Sequence, residues 1–90
     1  MEKTFLITAE AGVHARPATI LVNEAVKFQS KTVVKMNDKQ PVNLKSIMGV
    51  MSLGINNGST ITIICEGVDE VKAMEALTIS IKQLKLGKEC

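Results

Sequence analysis

Residues 59–84 read STITIICEGVDEVKAMEALTISIKQL, and the spacing of the apolar residues changes within this stretch. Residues 59–65 are rich in β-branched types, which is typical of a strand. From Asp69 onward the apolar residues recur every three or four positions, which predicts an amphipathic helix with Asp69 as its N-cap and Gly87 beyond its end. A strand followed by the longest helix of the chain indicates a fold in which helices cover a sheet.

Three further strands precede this stretch. Residues 3–9 (KTFLITA) and 31–36 (KTVVKM) read as strands, and residues 40–44 (QPVNL) read as a strand at a sheet edge, because Pro41 cannot donate to a ladder. The turn at 37–39 (NDK) joins the last two strands into a hairpin.

Two further helices are predicted. Pro17 starts one of them, because proline at a first helical position has its φ already set and lacks only an N–H that would be unbonded anyway. The apolar residues that follow keep helical spacing as far as Phe28. Ser46 caps a short second helix, which Gly54 can end in a left-handed conformation.

The resulting order, β-α-β-β-α-β-α, predicts a single α+β domain spanning residues 1–90. We expect an open-faced β-sandwich, in which three helices cover one face of a four-stranded antiparallel sheet. The other face of the sheet is then largely solvated.

Composition narrows the possible functions. The net charge of +2 is scattered along the chain and two Phe are the only aromatic residues, so no stacking platform for nucleic acid is expected. No apolar run approaches the roughly 18 residues of a membrane span, and the first residues, MEKTF, lack a signal-peptide layout. We therefore expect a cytoplasmic protein that neither enters a membrane nor binds nucleic acid directly. We also expect it to be a monomer.

The two cysteines show neither metal-ligand nor CxxC spacing. The chain also offers no Gly-rich nucleotide loop and no metal cluster, so neither a metal nor a cofactor is expected. Cys65 lies in a predicted strand and reads as a small core or sheet residue. Cys90 reads as an exposed thiol, and the sequence leaves open whether it links two copies of the chain.

His14 is the only histidine, and it lies with Arg16 at or just before the helix that Pro17 starts. The N–H groups at a helix start favour an anion, and an arginine can add a bidentate donor for phosphate. A neutral imidazole is a nucleophile, so His14 is a candidate phosphoryl acceptor. A lone histidine with only a surface or packing role is the competing interpretation.

Ser46 and the residues after it indicate a second functional site, which would combine a modified serine with a partner surface. A phosphate ester on Ser46 would place negative charge at a helix start, although a plain N-cap explains the same serine. The short helix has more apolar residues than one buried stripe needs, so Ile47, Met48 and Met51 are candidates for a partner surface, with a purely core role for the methionines as the alternative. Ile20 falls off the apolar stripe of its helix and is a candidate to flank His14.

Two motifs, GVHARPAT at 12–19 and NLKSIMGVMSLGI at 43–55, resemble those of the HPr family, the histidine-containing phosphocarriers of the bacterial sugar phosphotransferase system. The resemblance spans nearly the whole chain. It implies that His14 is phosphorylated on its pros nitrogen, Nδ1, by enzyme I and passes the group to IIA domains of sugar permeases. Arg16 and Pro17 match the family's residues beside that histidine.

The same resemblance implies a regulatory role for Ser46 as a target of HPr kinase/phosphorylase, with the modified form acting as corepressor of a catabolite control transcription factor. Ile47, Met48 and Met51 match the apolar patch that meets partners. Ala11 departs from the family, in which many relatives carry a polar residue at this position.

Three functions are therefore open. The leading one is a phosphocarrier, which is a substrate of other proteins and not an enzyme with its own turnover. The second is a regulatory module that acts mainly through phosphorylated Ser46. The third, a small RNA-binding domain, is disfavoured by the composition.

Overall fold

Five antiparallel strands and three helices make up the part of the chain that the computed structural model describes, residues 1–37 and 39–90. The elements are β1 (Glu2–Ile7), α1 (Ala15–Ala25), β2 (Lys31–Met36), β3 (Val42–Asn43), α2 (Ile47–Ser52), β4 (Thr60–Glu66), α3 (Glu70–Gln83) and β5 (Gly87–Glu89).

The strands form one sheet in the order β3-β2-β4-β1-β5, with β4 at its centre. Phe5 of β1 and Ile61 of β4 are paired, as are Val34 of β2 and Ile63 of β4, and all four side chains are buried. Their neighbours along each strand are half-buried or exposed, since successive side chains point to opposite faces. The sheet therefore has one covered face and one open face, and the predicted open-faced sandwich is confirmed.

The helices bury their apolar stripes on the covered face. Ala18 and Leu21 of α1 pack into the same core as Met74, Leu77 and Ile81 of α3. Cys65 is fully buried in β4 and Cys90 is exposed, as predicted. Burial raises the pKa of the Cys65 thiol, so this cysteine is an unreactive core residue. No helix in the described ranges, which omit one residue, is long and apolar enough to cross a membrane.

The prediction of four strands was wrong, because residues beyond α3 add a fifth. Lys85, with φ 55°, turns the chain back after the helix, and the buried Leu86 anchors it. Gly87 then pairs with Ile7, so close that a Cβ on Gly87 would lie 3.0 Å from the carbonyl carbon of Leu6. Glycine is not a strand former, and this pairing depends on close approach between distant segments.

Other boundaries also shift. β1 ends at Ile7 instead of at residue 9, and β3 contains only two residues. β3 is nevertheless an edge strand, as Pro41 predicted. The predicted turn at 37–39 includes Asp38, which lies outside the described residues.

Asp69 is the N-cap of α3, as predicted, but its side chain does not bond to that helix. Its carboxylate accepts hydrogen bonds from the backbone N–H groups of Gln29 and Ser30, both at 2.9 Å, and from the Ser30 hydroxyl. These bonds connect the α1–β2 loop to the start of α3. The Ser30 hydroxyl, followed by the Gln29 N–H, lowers the pKa of Asp69 below its ordinary value.

Asp69→Asn is expected to make the stability of the fold less dependent on pH in the acid range. A carboxyl whose pKa is lower in the folded state stabilises the fold above its unfolded pKa of about 3.9, and this contribution is lost as the pH falls through the folded pKa. Urea midpoints of the wild type should therefore fall more steeply below about pH 5 than those of the variant. Parallel profiles for the two proteins would contradict this assignment.

Candidate functional site

His14 is the N-cap residue of α1. Its backbone is extended, with φ −91° and ψ −169°, and its carbonyl accepts the first helical bond, from Ala18 N–H at 3.0 Å. The imidazole makes no capping hydrogen bond, and His14 is exposed. The histidine side chain is therefore exposed and is not used to cap the helix.

The predicted start of α1 at Pro17 was wrong by two residues. The helix begins at Ala15, so Pro17 is its third residue. The first N–H groups of a helix all lack an intrahelical acceptor, so proline is tolerated throughout the first turn. Pro17 is buried, whereas Arg16 before it is exposed.

The start of α1 is suited to an anion. Within the described ranges, the backbone N–H groups of Ala15 and Arg16 donate to no backbone or side-chain acceptor, and the Arg16 guanidinium forms no ion pair. These two N–H groups carry the positive end of the helix dipole, and the guanidinium can form two parallel bonds to a phosphate. His14 thus lies beside donors that are free to hold an oxyanion.

The loop before His14 contacts the segment that follows α2. Gly12 N–H donates to Ala9 at 2.9 Å within the loop, and Val13 N–H donates to the carbonyl of Ile55 at 3.0 Å. Val13 and Ile55 are both buried. The loop is therefore fixed beside the chain that leaves α2.

Ser46 is the N-cap of α2, as predicted. Its hydroxyl oxygen accepts a hydrogen bond from Gly49 N–H at 3.0 Å, and the residue is half-buried. Gly54, with φ +61°, follows the last turn, also as predicted. At this end of α2, the Lys39 ammonium donates to the carbonyl of Leu53 at 3.0 Å.

Three apolar side chains of α2 are exposed: 84% of Met48, 41% of Ile47 and 41% of Met51. We call these three residues the α2 surface. Their exposure excludes the alternative in which the two methionines are core residues, since Val50 and Leu53 supply the buried side of this segment. Ile20 is half-buried and lies off the buried stripe of α1, as predicted.

The structure connects the His14 loop and α1 to α2. α1 packs against α2, and the Val13–Ile55 hydrogen bond joins the His14 loop to the end of α2. Sequence reasoning missed Gly12 and Ile55 as parts of this arrangement. A glycine two residues before the histidine was the available signal for the first, whereas a backbone carbonyl such as that of Ile55 leaves none.

Comparison with known proteins supports a single family. The family model for the PTS HPr component phosphorylation site matches residues 1–83. A histidine-containing phosphocarrier protein of a mycoplasma is 39% identical, and the match covers 97% of this chain and 98% of that one with a TM-score of 0.93. The phosphocarrier protein HPr of Bacillus anthracis is 42% identical over 89% of this chain and 94% of that one, with a TM-score of 0.80.

A third similar structure is Crh, a catabolite repression protein of Bacillus subtilis described as a swapped dimer. It is 40% identical over 83% of this chain and 85% of its own, with a TM-score of 0.71. The match over residues 1–83 includes both His14 and Ser46, and the relatives share the fold over nearly their whole length. The chain therefore belongs to the HPr family of phosphocarrier proteins of the phosphotransferase system.

Proposed function

We propose that this protein accepts a phosphoryl group on His14 from enzyme I and passes it to IIA domains of sugar permeases. The observation that carries the proposal is the arrangement at the start of α1, where an exposed, uncapped histidine lies beside two free N–H groups and an unpaired Arg16. Within residues 1–37 and 39–90, neither these N–H groups nor the Arg16 guanidinium has a partner. Family membership supports the same assignment.

In the proposed step, the lone pair of the neutral His14 imidazole, at the pros nitrogen Nδ1, attacks phosphorus. An Nδ1–P bond forms as the bond between phosphorus and its donor breaks, and the product is a phosphoramidate. Arg16 and the two N–H groups balance the charge of the phosphoryl oxygens. In transfer to the next protein the Nδ1–P bond breaks in turn, so the chain acts as a substrate and not as an enzyme with its own turnover.

Pro17 has a supporting role in this proposal. It is the third residue of α1 and has no N–H, so the free donors of the first turn are those of Ala15 and Arg16, both next to His14. Its ring is buried and fixes φ where the helix begins. Pro17 therefore shapes the phosphate site without bonding to the phosphate.

The α2 surface and Ile20 are proposed to contact the partner proteins. Exposed methionines and an isoleucine form an adaptable apolar surface, which suits a protein that must dock on enzyme I and on several IIA domains. We propose that these encounters take place in the cytoplasm and that the carrier acts as a monomer. Crh forms a swapped dimer, so the oligomeric state of this chain needs its own measurement by sedimentation.

Ser46 is proposed as a regulatory site for HPr kinase/phosphorylase. A phosphoserine carries a charge of about −2 at neutral pH, and here it would lie one residue before the α2 surface. Such a charge would hinder docking at His14 and create a surface for the catabolite control transcription factor. The same group would replace the hydroxyl that now accepts from Gly49 N–H.

A mainly regulatory module is the second candidate function, because the chain is also 40% identical to the catabolite repression protein Crh. The two candidates differ in one measurable respect. A carrier restores sugar uptake in a strain that lacks its own phosphocarrier, whereas a module that acts only through phosphorylated Ser46 does not. Biochemically, incubation with enzyme I and phosphoenolpyruvate should give an acid-labile phosphate on this protein, and its absence would overturn the carrier function.

A further inference from the structure

The imidazole of His14 makes no capping hydrogen bond at the helix start, so the backbone around this residue determines from where its side chain projects. The loop that leads to it is anchored at both ends. At its beginning, the N–H groups of Thr8 and Ala9 donate to the carbonyl of Leu86 at 2.8 and 3.0 Å. At its end, Val13 N–H donates to the carbonyl of Ile55 at 3.0 Å, directly before His14.

The second anchor depends on close approach at Gly12. This residue has φ +66°, and a Cβ on it would lie 2.8 Å from the Cα of Asn56 and 3.1 Å from the carbonyl carbon of Ile55. Both neighbours are backbone atoms, so no side-chain rotation can make room. Any side chain at position 12 must therefore push the loop and the 55–56 backbone apart. We call this contact between residues 12–13 and 55–56 the Gly12 junction.

The far side of the junction is itself held in place. Ile55 is buried, and Asn56 N–H donates to the Ser59 hydroxyl at 3.2 Å while Ser59 N–H returns a bond to the Asn56 carbonyl at 3.0 Å. Gly58 N–H donates to Ile7 in β1 at 2.8 Å. The segment also continues directly from the end of α2, so the junction relates the His14 backbone to the helix that carries the α2 surface.

We propose that Gly12 is a positioning residue for phosphoryl transfer: its lack of a side chain lets the junction close, and the closed junction sets the place of His14 relative to the α2 surface. This inference rests on the proposed carrier function. A phosphoryl group moves only when donor and acceptor atoms are aligned after docking, and a displacement of about 1 Å can cost about 100-fold in rate. An open junction would leave docking intact and misplace the acceptor.

Gly12→Ala tests the proposal, with Gly58→Ala as a matched control. Both substitutions put alanine at positive φ, but the space around Gly58, with φ +92°, is open within 4 Å. With each variant as the substrate of enzyme I and phosphoenolpyruvate, Gly12→Ala should lower kcat by about 10–100-fold and leave KM near the wild-type value. Gly58→Ala retains the backbone N–H that donates to Ile7 and has open space for its Cβ, so it should keep both parameters, although its stability falls for the same conformational reason.

The possible outcomes separate the two proposals. If the wild type is not phosphorylated, the carrier function fails. If the wild type is phosphorylated and the two alanine variants have equal kcat values, or Gly12→Ala changes only KM, the carrier function stands and the positioning role is overturned.

Amide hydrogen exchange on the wild type keeps the proposal falsifiable if Gly12→Ala does not fold. The Val13 amide should exchange far more slowly than the amides of Ala15 and Arg16, which have no acceptor in the described parts of the chain. Equal exchange at these three amides would show that the junction is open in solution and would overturn the proposal.

Discussion

His14→Ala is expected to take up no phosphoryl group from enzyme I and phosphoenolpyruvate, whereas the wild type takes up one acid-labile group. The chain has no other histidine, so the variant offers no imidazole to form a phosphoramidate. The substitution should change the free energy of unfolding by no more than about 0.5 kcal/mol, because the side chain is exposed and makes no capping bond. Phosphate labelling followed by acid treatment measures the first effect, and urea unfolding measures the second.

HPr kinase supplies the control for this variant. His14→Ala should still accept an acid-stable phosphate on Ser46 from that kinase, which would show that the protein is folded and recognised. Ser46→Ala should show the reverse pattern, with label from enzyme I only. Acid-labile label on His14→Ala would show that another residue accepts the phosphoryl group, and it would contradict the assignment of His14 as the acceptor.

The local pattern of the sequence was enough to predict most of the fold. β4 and α3 follow from the change of apolar spacing between residues 59 and 84, and the edge position of β3 follows from Pro41. β5 was not predictable, because residues 87–89 have no strand pattern. They pair with β1 because Leu86 is buried and Gly87 permits close approach to Leu6, both of which are tertiary effects.

The candidate site also combines residues that the sequence identifies with contacts that the sequence does not reveal. Its candidate residues could be named from the sequence, since a helix start with an arginine favours an anion and a histidine beside it is a possible phosphoryl acceptor. Their role in phosphoryl transfer stays a prediction. The contacts that hold these residues in place could not be predicted. The Gly12 junction joins residues that are more than 40 positions apart, and the Asp69 carboxylate bonds to the α1–β2 loop instead of capping α3, because its ψ of 25° is not extended. Contacts of this kind depend on how helices, strands and loops pack together, so local sequence patterns do not predict them.

Arg16→Ala is expected to slow phosphoryl transfer strongly and to leave stability almost unchanged. A hydrogen bond to a charged group contributes about 1.5–3 kcal/mol, so losing the guanidinium should lower kcat/KM with enzyme I by about 10–100-fold. The side chain is exposed and unpaired in the described structure, so the free energy of unfolding should change by less than about 0.5 kcal/mol.

Two controls separate the roles of charge and geometry at this position. Lys72→Ala removes an exposed cation from α3, and it should keep kcat/KM near wild type if Arg16 acts locally and not through net charge. Arg16→Lys keeps the charge but loses the planar pair of donors, so an intermediate rate is expected.

Equal losses of stability and transfer in Arg16→Ala would mean that Arg16 supports the fold. A rate in Arg16→Lys equal to that of the wild type would mean that charge alone is sufficient, and that bidentate binding of the phosphoryl oxygens is not what Arg16 contributes.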